Sequence, residues 1–303
     1  MDIHSSFPGI TGAVTRERVP MAGFTTWKVG GPARFLVEVS TRGALEAVLE
    51  IAGSSGTGLY LLGNGSNLLV SDRGLDGVVV RLSGELAALR WEGSGLIAGA
   101  GAMLGSVCIE ACRRGLSGLE FSSGIPATVG GAVMTNAGAF GRSIAGVVRE
   151  VEVIRGDGTA ARRSGFSGEY REPLVPAGEV VLRAHIALVP SGPQEVAAGM
   201  EEVRSKRRKA QPRGVATAGS VFKNPPGKPA GALIEKCGLK GEARGGARIS
   251  MVHANFIENT GGATAGDILY LMKLARRRVE ETFGVRLEPE VELLGFGEVN
   301  WLA

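Results

Sequence analysis

A chain of 303 residues that is 44% hydrophobic and 21% charged can bury a large core and has room for about two domains. These proportions are those of an ordinary globular protein and argue against a chain that stays unfolded. The net charge of +4 fits a nucleic acid, an anionic membrane surface or a small polyanion such as a nucleotide, and does not choose among them.

Two segments are candidates for export or membrane signals. Met1 to Gly12 has neither a basic stretch nor an apolar run before a cleavage site, so no secretory signal is expected. The long uncharged stretch 121–141 is interrupted by Pro126, Asn136 and several glycines, which would make it a poor membrane helix.

The three cysteines are an odd number without an export signal, which argues against a disulfide framework and for the reducing cytoplasm. Cys108 and Cys112 have no further ligands at metal-site spacing, and Cys237 stands alone. No metal site is therefore predicted.

The first predicted helix runs from an N-cap at Thr41 to Gly53, which can adopt the left-handed conformation that ends a helix. Its apolar residues recur at helical spacing: Leu45, Val48, Leu49 and Ala52. A strand over 59–62 then leads into the turn GNGSN at 63–67.

Strand and helix patterns alternate after this turn. Strands are predicted over 68–70, 78–82 and 96–98, and a helix runs from Leu104 to about Gly115. From 147 to 189 the pattern is rich in strands.

A hairpin is predicted at Gly156-Asp157-Gly158, since Asp-Gly is a strong turn signal. The fold class is therefore α+β. A break at Ser191-Gly192-Pro193 suggests a domain boundary.

Two helices are predicted in the C-terminal part. The run RSKRRK at 204–209 ends an amphipathic helix, and a solvated helix face is favoured over a nucleic-acid patch because no aromatic residues interleave. Thr264 and Asp267 form a capping box for a helix that ends at Gly284.

The turn GNGSN offers backbone amides with little side-chain obstruction, which suits a pyrophosphate, although a plain tight turn fits equally well. It is no Rossmann fingerprint, because Leu68 occupies the third glycine position. The stretch 124–138, GIPATVGGAVMTNAG, could lie against a large flat ligand or serve close packing alone.

GSVFKNP at 219–225 places the hydroxyl of Ser220 near Lys223 and Asn224. The hydroxyl could donate a proton while the other two hold an anion, although a serine at such a place is more often a turn residue. Residues 218–222 do not form a nucleophile elbow, which disfavours hydrolase chemistry.

Three more positions are candidates for chemistry. The guanidinium of Arg171, after Tyr170, can grip a carboxylate, although a surface arginine is the commoner case. Glu290 lies in a strand-like apolar run, where an unpaired carboxylate is costly. His253, also placed in an apolar strand, is more often a hydrogen-bonded structural residue than an acid or base.

In this order the motifs resemble the UDP-N-acetylenolpyruvoylglucosamine reductase (MurB) family over residues 20–297. They are TTWKVGGPARFLVEV at 25–39, GNGSNLLVSD at 63–72, GLEFSSGIPATVGGAVMTNAGAFG at 118–141, Tyr170-Arg171, AGSVFKNP at 218–225, GALIEKCGLKG at 231–241, SMVHANFIENTGGATAGDI at 250–268 and LEPEVELLG at 287–295. The short span between Arg171 and Val180 resembles the type II subgroup.

The resemblance implies an FAD-binding region of the vanillyl-alcohol oxidase type over 1–192, with lobes at about 21–90 and 91–192, and a substrate-binding domain over 193–303. FAD would be bound noncovalently and reduced by NADPH. Hydride would then pass to the enolpyruvyl ether of a UDP-sugar, in peptidoglycan precursor synthesis.

By the same resemblance Ser220 is the proton donor, Arg171 stabilises the developing charge and Glu290 is a second acid/base group. Tyr170, Lys223 and Asn224 would bind substrate. The residues implied to bind FAD are Gly63, Asn64, Gly65, Ser66, Asn67, Leu68, Gly124, Ile125, Thr128, Gly130 and Gly131.

The chain departs from the family at Glu172-Pro173 and at Glu292, where many relatives carry a small hydroxyl residue and a basic residue respectively. A cytoplasmic monomer that binds neither nucleic acid nor membrane is expected. The alternatives are another flavin oxidoreductase on the same fold, such as an alcohol or sugar oxidase, and a non-catalytic nucleotide-binding module.

Overall fold

The computed structural model describes residues 9–299. Residues 1–8, most of the N-terminal segment in which no secretory signal is expected, lie outside that range. The chain forms two compact units that alternate along the sequence. Unit 1 contains the described residues up to Glu17, Phe35–Asn64 and Gly77–Arg207, and unit 2 contains Arg18–Arg34, Gly65–Asp76 and the described residues from Arg208 onward. The predicted functional division at residue 192 stays a prediction.

The elements of the first half are β1 (Ala13–Pro20), β2 (Pro32–Val39), α1 (Arg42–Ser55), β3 (Gly58–Leu61), β4 (Leu68–Val70), β5 (Leu75–Leu82), β6 (Leu89–Glu92), β7 (Gly95–Gly99), α2 (Leu104–Arg113), β8 (Leu116–Ser117), α3 (Val129–Met134), β9 (Gly138–Ala139), β10 (Arg142–Ser143) and β11 (Val148–Ile154). The second half contains β12 (Ala160–Ser164), β13 (Val180–Ala187), β14 (Val189–Pro190), α4 (Pro193–Ala210), α5 (Ala230–Lys236), β15 (Ala243–Arg244), β16 (Ala247–Ile249), β17 (Ile257–Asn259), α6 (Ala265–Phe283) and β18 (Glu292–Leu294). The predicted α+β class is confirmed.

A four-stranded sheet with the order β1-β2-β5-β3 forms the first layer of unit 1, and α1 packs on it. Thr41 caps the helix as predicted, since its hydroxyl accepts from the Ala44 amide at 3.2 Å. The predicted end at Gly53 is wrong. Gly53 lies inside α1, and Gly56, with φ +63°, takes the left-handed position that ends the helix.

The second layer of unit 1 is a five-stranded antiparallel sheet with the order β12-β11-β13-β7-β6. The predicted hairpin is confirmed by β11 and β12, which pair from Ile154 and Ala160 around Gly158 at φ +83°. Along β11 the valines 151 and 153 are buried in a core that α2 and α3 complete. Glu150 and Glu152 alternate with them on the opposite face of the strand.

Unit 2 is organised around α6. The predicted capping box is present, with Thr264 and Asp267 exchanging side-chain to backbone bonds of 3.0 Å, and Gly284 at φ +63° ends the helix. The apolar face of α6 is fully buried: Ile268, Leu271, Met272, Ala275 and Val279. Burying each large aliphatic side chain stabilises the fold by about 1.5–3 kcal/mol.

Two local predictions in unit 2 are wrong. His253 lies in the loop between β16 and β17, and Glu290 lies in a bend just before β18. Both apolar runs were too short for periodicity to separate strand from loop. None of the helices within residues 9–299 combines the length and apolar character that a membrane crossing requires.

Candidate active site

In unit 1 the two glycine-rich stretches lie against each other. A Cβ at Gly63 would meet the Thr128 hydroxyl at 2.7 Å, and Asn64 Nδ2 donates to the Pro126 carbonyl at 2.9 Å. Glycine at 63 therefore permits a close approach that a side chain would obstruct.

The rest of the first loop belongs to unit 2. Gly65 is buried at φ +63°, and a Cβ there would lie 1.9 Å from the Phe24 carbonyl oxygen. The amides of Gly65, Ser66 and Asn67 donate no hydrogen bond within residues 9–299. Adjacent backbone donors left open in this way suit an anionic ligand such as a diphosphate. Leu68 begins β4, as the sequence predicted.

The second stretch uses its glycines differently. The amides of Val129 and Gly130 donate to the Ala102 and Ala100 carbonyls, both at 2.8 Å, and that of Gly131 donates to the Thr128 hydroxyl at 3.2 Å. Gly130 thus serves close packing, the alternative that the sequence left open, since a Cβ there would lie 2.9 Å from the Ala100 Cβ, whereas a Cβ at Gly131 would meet nothing closer than 3.4 Å. Their contribution to cofactor binding stays a prediction.

The start of that stretch is more open. Gly124 is exposed at φ +86°, and Ile125 beside it is half-buried. The Arg207 side chain lies over this point, with its Cδ 3.3 Å from where a Cβ of Gly124 would be. The basic run at the end of α4 is thus not solvated throughout, because Arg207 is half-buried there.

Tyr170 and Arg171 lie in a loop of unit 1. Arg171 adopts φ +57°, unusual for a residue with a side chain, and its Nη1 donates to the Asn136 carbonyl at 3.5 Å. Its Cζ lies 5.6 Å from the ring centre of the exposed Tyr170. Burial, and then the positive charge of Arg171, lowers the pKa of the Arg207 guanidinium. The two cations are therefore near each other.

In unit 2 the backbone joins the Ser220 segment to the Glu290 segment. Phe222 and Pro289 form an antiparallel bridge, Lys223 N donates to the Glu288 carbonyl, and Glu290 N donates to the Val221 carbonyl, both at 2.8 Å. Ser220 and Glu290 are both half-buried. Glu290 is bonded to Val221, and Ser220 is the residue before Val221. The structure thus brings together two of the three predicted catalytic positions.

The predicted substrate-binding pair follows Ser220. Lys223 is half-buried, with its Nζ 3.9 Å from Glu288 Oε2. Asn224 is exposed, and its Oδ1 accepts from the Ala230 amide at 2.9 Å, which orients the side-chain amide.

Two buried asparagines hold these segments, and neither was assigned a role from the sequence. Asn255 is 2% exposed and binds Phe222 twice, with Oδ1 accepting from its amide at 3.0 Å and Nδ2 donating to its carbonyl at 2.8 Å. Asn136, 1% exposed, binds the loop that carries Arg171. A buried amide needs partners, but only the fold shows which segments supply them.

His253 has the structural role that the sequence favoured. Its Nδ1 accepts from the Asn255 amide at 3.2 Å, and burial lowers the pKa of the imidazole. Glu292 lies at the start of β18, where its amide donates to the Asn67 carbonyl at 2.9 Å. Burial raises the pKa of the Glu292 carboxyl.

Among residues 9–299 one group could hold a metal ion, and the sequence did not indicate it. Glu150, Glu152 and His185 have ligand atoms within 4.8 Å of one another on paired strands. Hydrogen bonds and ion pairs already use these atoms, since His185 Nε2 lies 2.8 Å from Glu152 and Arg162 lies 3.1 Å from Glu150. The group forms an ion-pair network on the sheet surface.

The chain is similar to known proteins in both sequence and structure. A model of the UDP-N-acetylenolpyruvoylglucosamine reductase C-terminal domain matches residues 211–294, and a model of an FAD binding domain matches residues 33–164. The chain is 46% identical over 285 residues to UDP-N-acetylenolpyruvoylglucosamine reductase 2 of Symbiobacterium thermophilum, an alignment that covers 92% of each chain. It is 44% identical over 289 residues to the UDP-N-acetylenolpyruvoylglucosamine reductase of an Anaeromyxobacter species, covering 94% of this chain and 90% of that one.

A solved structure is also similar. The UDP-N-acetylenolpyruvylglucosamine reductase (MurB) of Thermus caldophilus superimposes with a TM-score of 0.80 at 42% identity, covering 93% of this chain and 100% of that one. Identity at this level over nine-tenths of the sequence, in chains that share one fold, means that the chain belongs to the UDP-N-acetylenolpyruvoylglucosamine reductase family.

Proposed function

We propose that this chain catalyses the reaction of its family, the reduction of the enolpyruvyl ether of UDP-N-acetylglucosamine enolpyruvate to UDP-N-acetylmuramate with FAD and NADPH. The observation that carries the proposal is the backbone pairing in unit 2 that fixes Ser220 beside the segment of Glu290. A proton donor and an acid/base group that act on one intermediate need a constant separation, which paired backbone supplies.

The residues present fit FAD. The open amides of Gly65, Ser66 and Asn67 would donate to its diphosphate, and the exposed backbone at Gly124, beside the Arg207 side chain, would contact its flat ring system. Asn64 and Thr128 would hold the two glycine-rich stretches in place through their contacts with Pro126 and Gly63. When bound and reduced by NADPH, the flavin would supply the hydride that adds to the vinyl carbon of the substrate.

Arg171 is assigned to the substrate carboxylate. Hydride addition breaks the carbon–carbon π bond and moves its electron pair onto the adjacent carboxylate as an enediolate. A planar guanidinium can donate two parallel hydrogen bonds to that group and stabilises it more as its charge grows. Tyr170, whose ring lies beside Arg171, would line the same part of the substrate site.

Ser220 completes the reaction by donating its hydroxyl proton to the carbon next to the carboxylate, where a new C–H bond forms as the enediolate collapses. A hydroxyl is a weak acid, but its acceptor is a strongly basic carbanion. Glu290 serves as the second acid/base group. Lys223 and Asn224 would hold the anionic part of the UDP-sugar.

We also propose that the protein works in the cytoplasm as a monomer, without a nucleic-acid partner. All three cysteines are free thiols, which fits a reducing compartment. A small polyanionic substrate accounts for the basic charge. Analytical ultracentrifugation would overturn the monomer if a dimer persisted at micromolar concentration.

The test of function is direct. Purified protein should show flavin absorption near roughly 370 and 450 nm and should oxidise NADPH through repeated turnovers only when the enolpyruvyl substrate is present. Oxygen consumption with an alcohol or sugar would favour the oxidase alternative. A colourless protein with salt-sensitive nucleic-acid binding would favour the binding module.

A further inference from the structure

Asn136 lies in the second glycine-rich stretch but directs its side chain to other parts of unit 1. It is 1% exposed and adopts φ +41°. Its Nδ2 donates to the Glu169 carbonyl at 2.8 Å, and its Oδ1 accepts from the Ala145 amide at 3.3 Å. Asparagine tolerates the left-handed region better than most residues, yet the conformation still costs free energy that these buried bonds offset.

The same residue also contacts Arg171. The Asn136 carbonyl accepts from Arg171 Nη1 at 3.5 Å, while its side chain holds Glu169, two residues earlier in the chain. On the other side of Arg171, Leu174 N donates to the Val133 carbonyl at 3.2 Å. The segment 169–174 is thus bound at both ends to the stretch 133–136.

Two unfavourable effects act on Arg171, and this attachment offsets them. Arg171 lies close enough to Arg207 to help lower the pKa of the Arg207 guanidinium, so the two cations repel each other. Arg171 also adopts φ +57°, a strained conformation that neighbouring structure must hold. The Asn136 carbonyl, which accepts from the Arg171 guanidinium, and the bond from the Asn136 side chain to the Glu169 carbonyl oppose both effects.

We propose that Asn136 is a positioning residue for Arg171, which it holds through its own carbonyl and through its side-chain bond to Glu169. The inference rests on the proposed role of Arg171 in binding the substrate carboxylate. Through Asn136 the stretch predicted to bind the cofactor also sets the place of the carboxylate-binding group. Displacing a catalytic group by about 1 Å can cost about 10²-fold in rate.

Asn136→Gly is the test variant, because glycine adopts φ +41° without strain and loses only the side-chain bonds. Thr135→Val is the matched control, since the Thr135 hydroxyl donates to Gly131 within its own helix. FAD content, the rates of flavin reduction by NADPH and of reoxidation by substrate, and hydrogen exchange of residues 168–175 are measured on the holoenzymes.

Asn136→Gly should keep FAD and reduce its flavin within about twofold of the parent rate, while reoxidation slows about 10–100-fold. Exchange in residues 168–175 should rise, and adding Arg171→Lys should slow reoxidation less than it does in the parent. Thr135→Val should match the parent in every measurement. If Asn136→Gly does not fold, Asn136→Asp replaces it, since it removes the donor to Glu169 while keeping the acceptor for Ala145.

An unchanged reoxidation rate in Asn136→Gly, with Arg171→Lys still slow, would overturn the positioning role and leave the proposed function intact. Equal slowing of both half-reactions would overturn it as well, because it would indicate a general structural defect. Full activity of Arg171→Lys in the parent would instead remove the assigned role of Arg171.

Discussion

The two units hold their candidate catalytic groups by different means. In unit 1, Arg171 lies in a loop with left-handed backbone, attached through the side chain of Asn136 and its own guanidinium. In unit 2, Ser220 and Glu290 lie at the ends of segments joined backbone to backbone, with Asn255 adding bonds to Phe222.

The two kinds of attachment are sensitive to different substitutions. Backbone pairing survives most side-chain changes but fails when a new Cβ collides with the chain. A strained loop held by side chains loses its geometry when a single hydrogen-bonding group is removed. Activity should therefore depend on side chains around Arg171 and on glycines around the loop of unit 2.

Two glycines of one turn give the largest contrast. Gly65→Ala places a Cβ 1.9 Å from the Phe24 carbonyl oxygen at φ +63°, and the left-handed conformation alone costs about 1–2 kcal/mol for alanine. It should lose most of its FAD. Gly63→Ala meets the Thr128 hydroxyl at 2.7 Å rather than backbone, so this side chain must shift and weaken its bond to the Gly131 amide, and the variant should keep more FAD than Gly65→Ala.

Flavin absorbance per folded protein measures the contrast. Gly43→Ala, inside α1 with nothing within 4 Å of the new Cβ, is the matched control and should keep full flavin. Equal flavin content in the Gly63→Ala and Gly65→Ala variants would contradict the claim that a clash with backbone costs more cofactor than a clash with a side chain.

Arg171→Lys should lower turnover at saturating substrate by about 10²-fold, because an ammonium group cannot donate the two parallel hydrogen bonds that a guanidinium donates to a carboxylate. Arg90→Lys, at an exposed position of β6, should leave turnover unchanged. Steady-state kinetics decide the matter, and unchanged turnover in Arg171→Lys would remove this residue from the catalytic set.

Helix caps provide a smaller contrast between the units. Thr264→Ala removes the hydroxyl that accepts from the Asp267 amide and leaves the other bond of the capping box, from the backbone amide of position 264 to Asp267, without its reciprocal partner, so the free energy of unfolding should fall by about 1 kcal/mol. Thr41→Ala removes one capping bond of α1 and should cost less. Urea titration measures both, and a larger loss at Thr41 would contradict the expected order.

The smallest expected effect is the change in folding stability when Glu292 is replaced. Burial raises the pKa of this carboxyl in the folded state, so the unfolded chain loses the proton first as pH rises. Folding is therefore penalised above the unfolded pKa, and the penalty levels off once pH exceeds the folded pKa. Because Glu292 is exposed overall, solvent screens much of this penalty, so Glu292→Gln should be only slightly more stable than the parent at pH 7, and the difference should vanish below about pH 4. A less stable Gln variant at pH 7 would show that the carboxylate is compensated.

Much of the fold could be predicted from the sequence because the signals were local. Thr41, the Thr264–Asp267 box, Gly284 and the Asp-Gly hairpin each act within a few residues. The predicted end of α1 at Gly53 lies three residues before the observed end at Gly56. Both positions are glycines that can adopt the left-handed conformation, and tertiary packing decides between them.

The site was less predictable because its supports are distant in sequence. The hydrogen bond between Asn136 and Glu169 joins residues 33 positions apart, and the bond between Asn255 and Phe222 spans the same separation. Motif resemblance indicated Ser220, Arg171 and Glu290, but a single sequence cannot show which buried amide holds which segment. Their catalytic roles stay predictions.

The central claim is that Ser220 donates a proton only after hydride has been transferred, and anaerobic stopped-flow kinetics of Ser220→Ala test it directly. NADPH should bleach the flavin at nearly the parent rate, while the enolpyruvyl substrate should reoxidise it about 10²–10⁴-fold more slowly. Ser220→Cys, which keeps a transferable proton, should retain more activity than the alanine variant. Slower flavin reduction, or unchanged reoxidation, in a variant with a parent-like circular dichroism spectrum would contradict the claim.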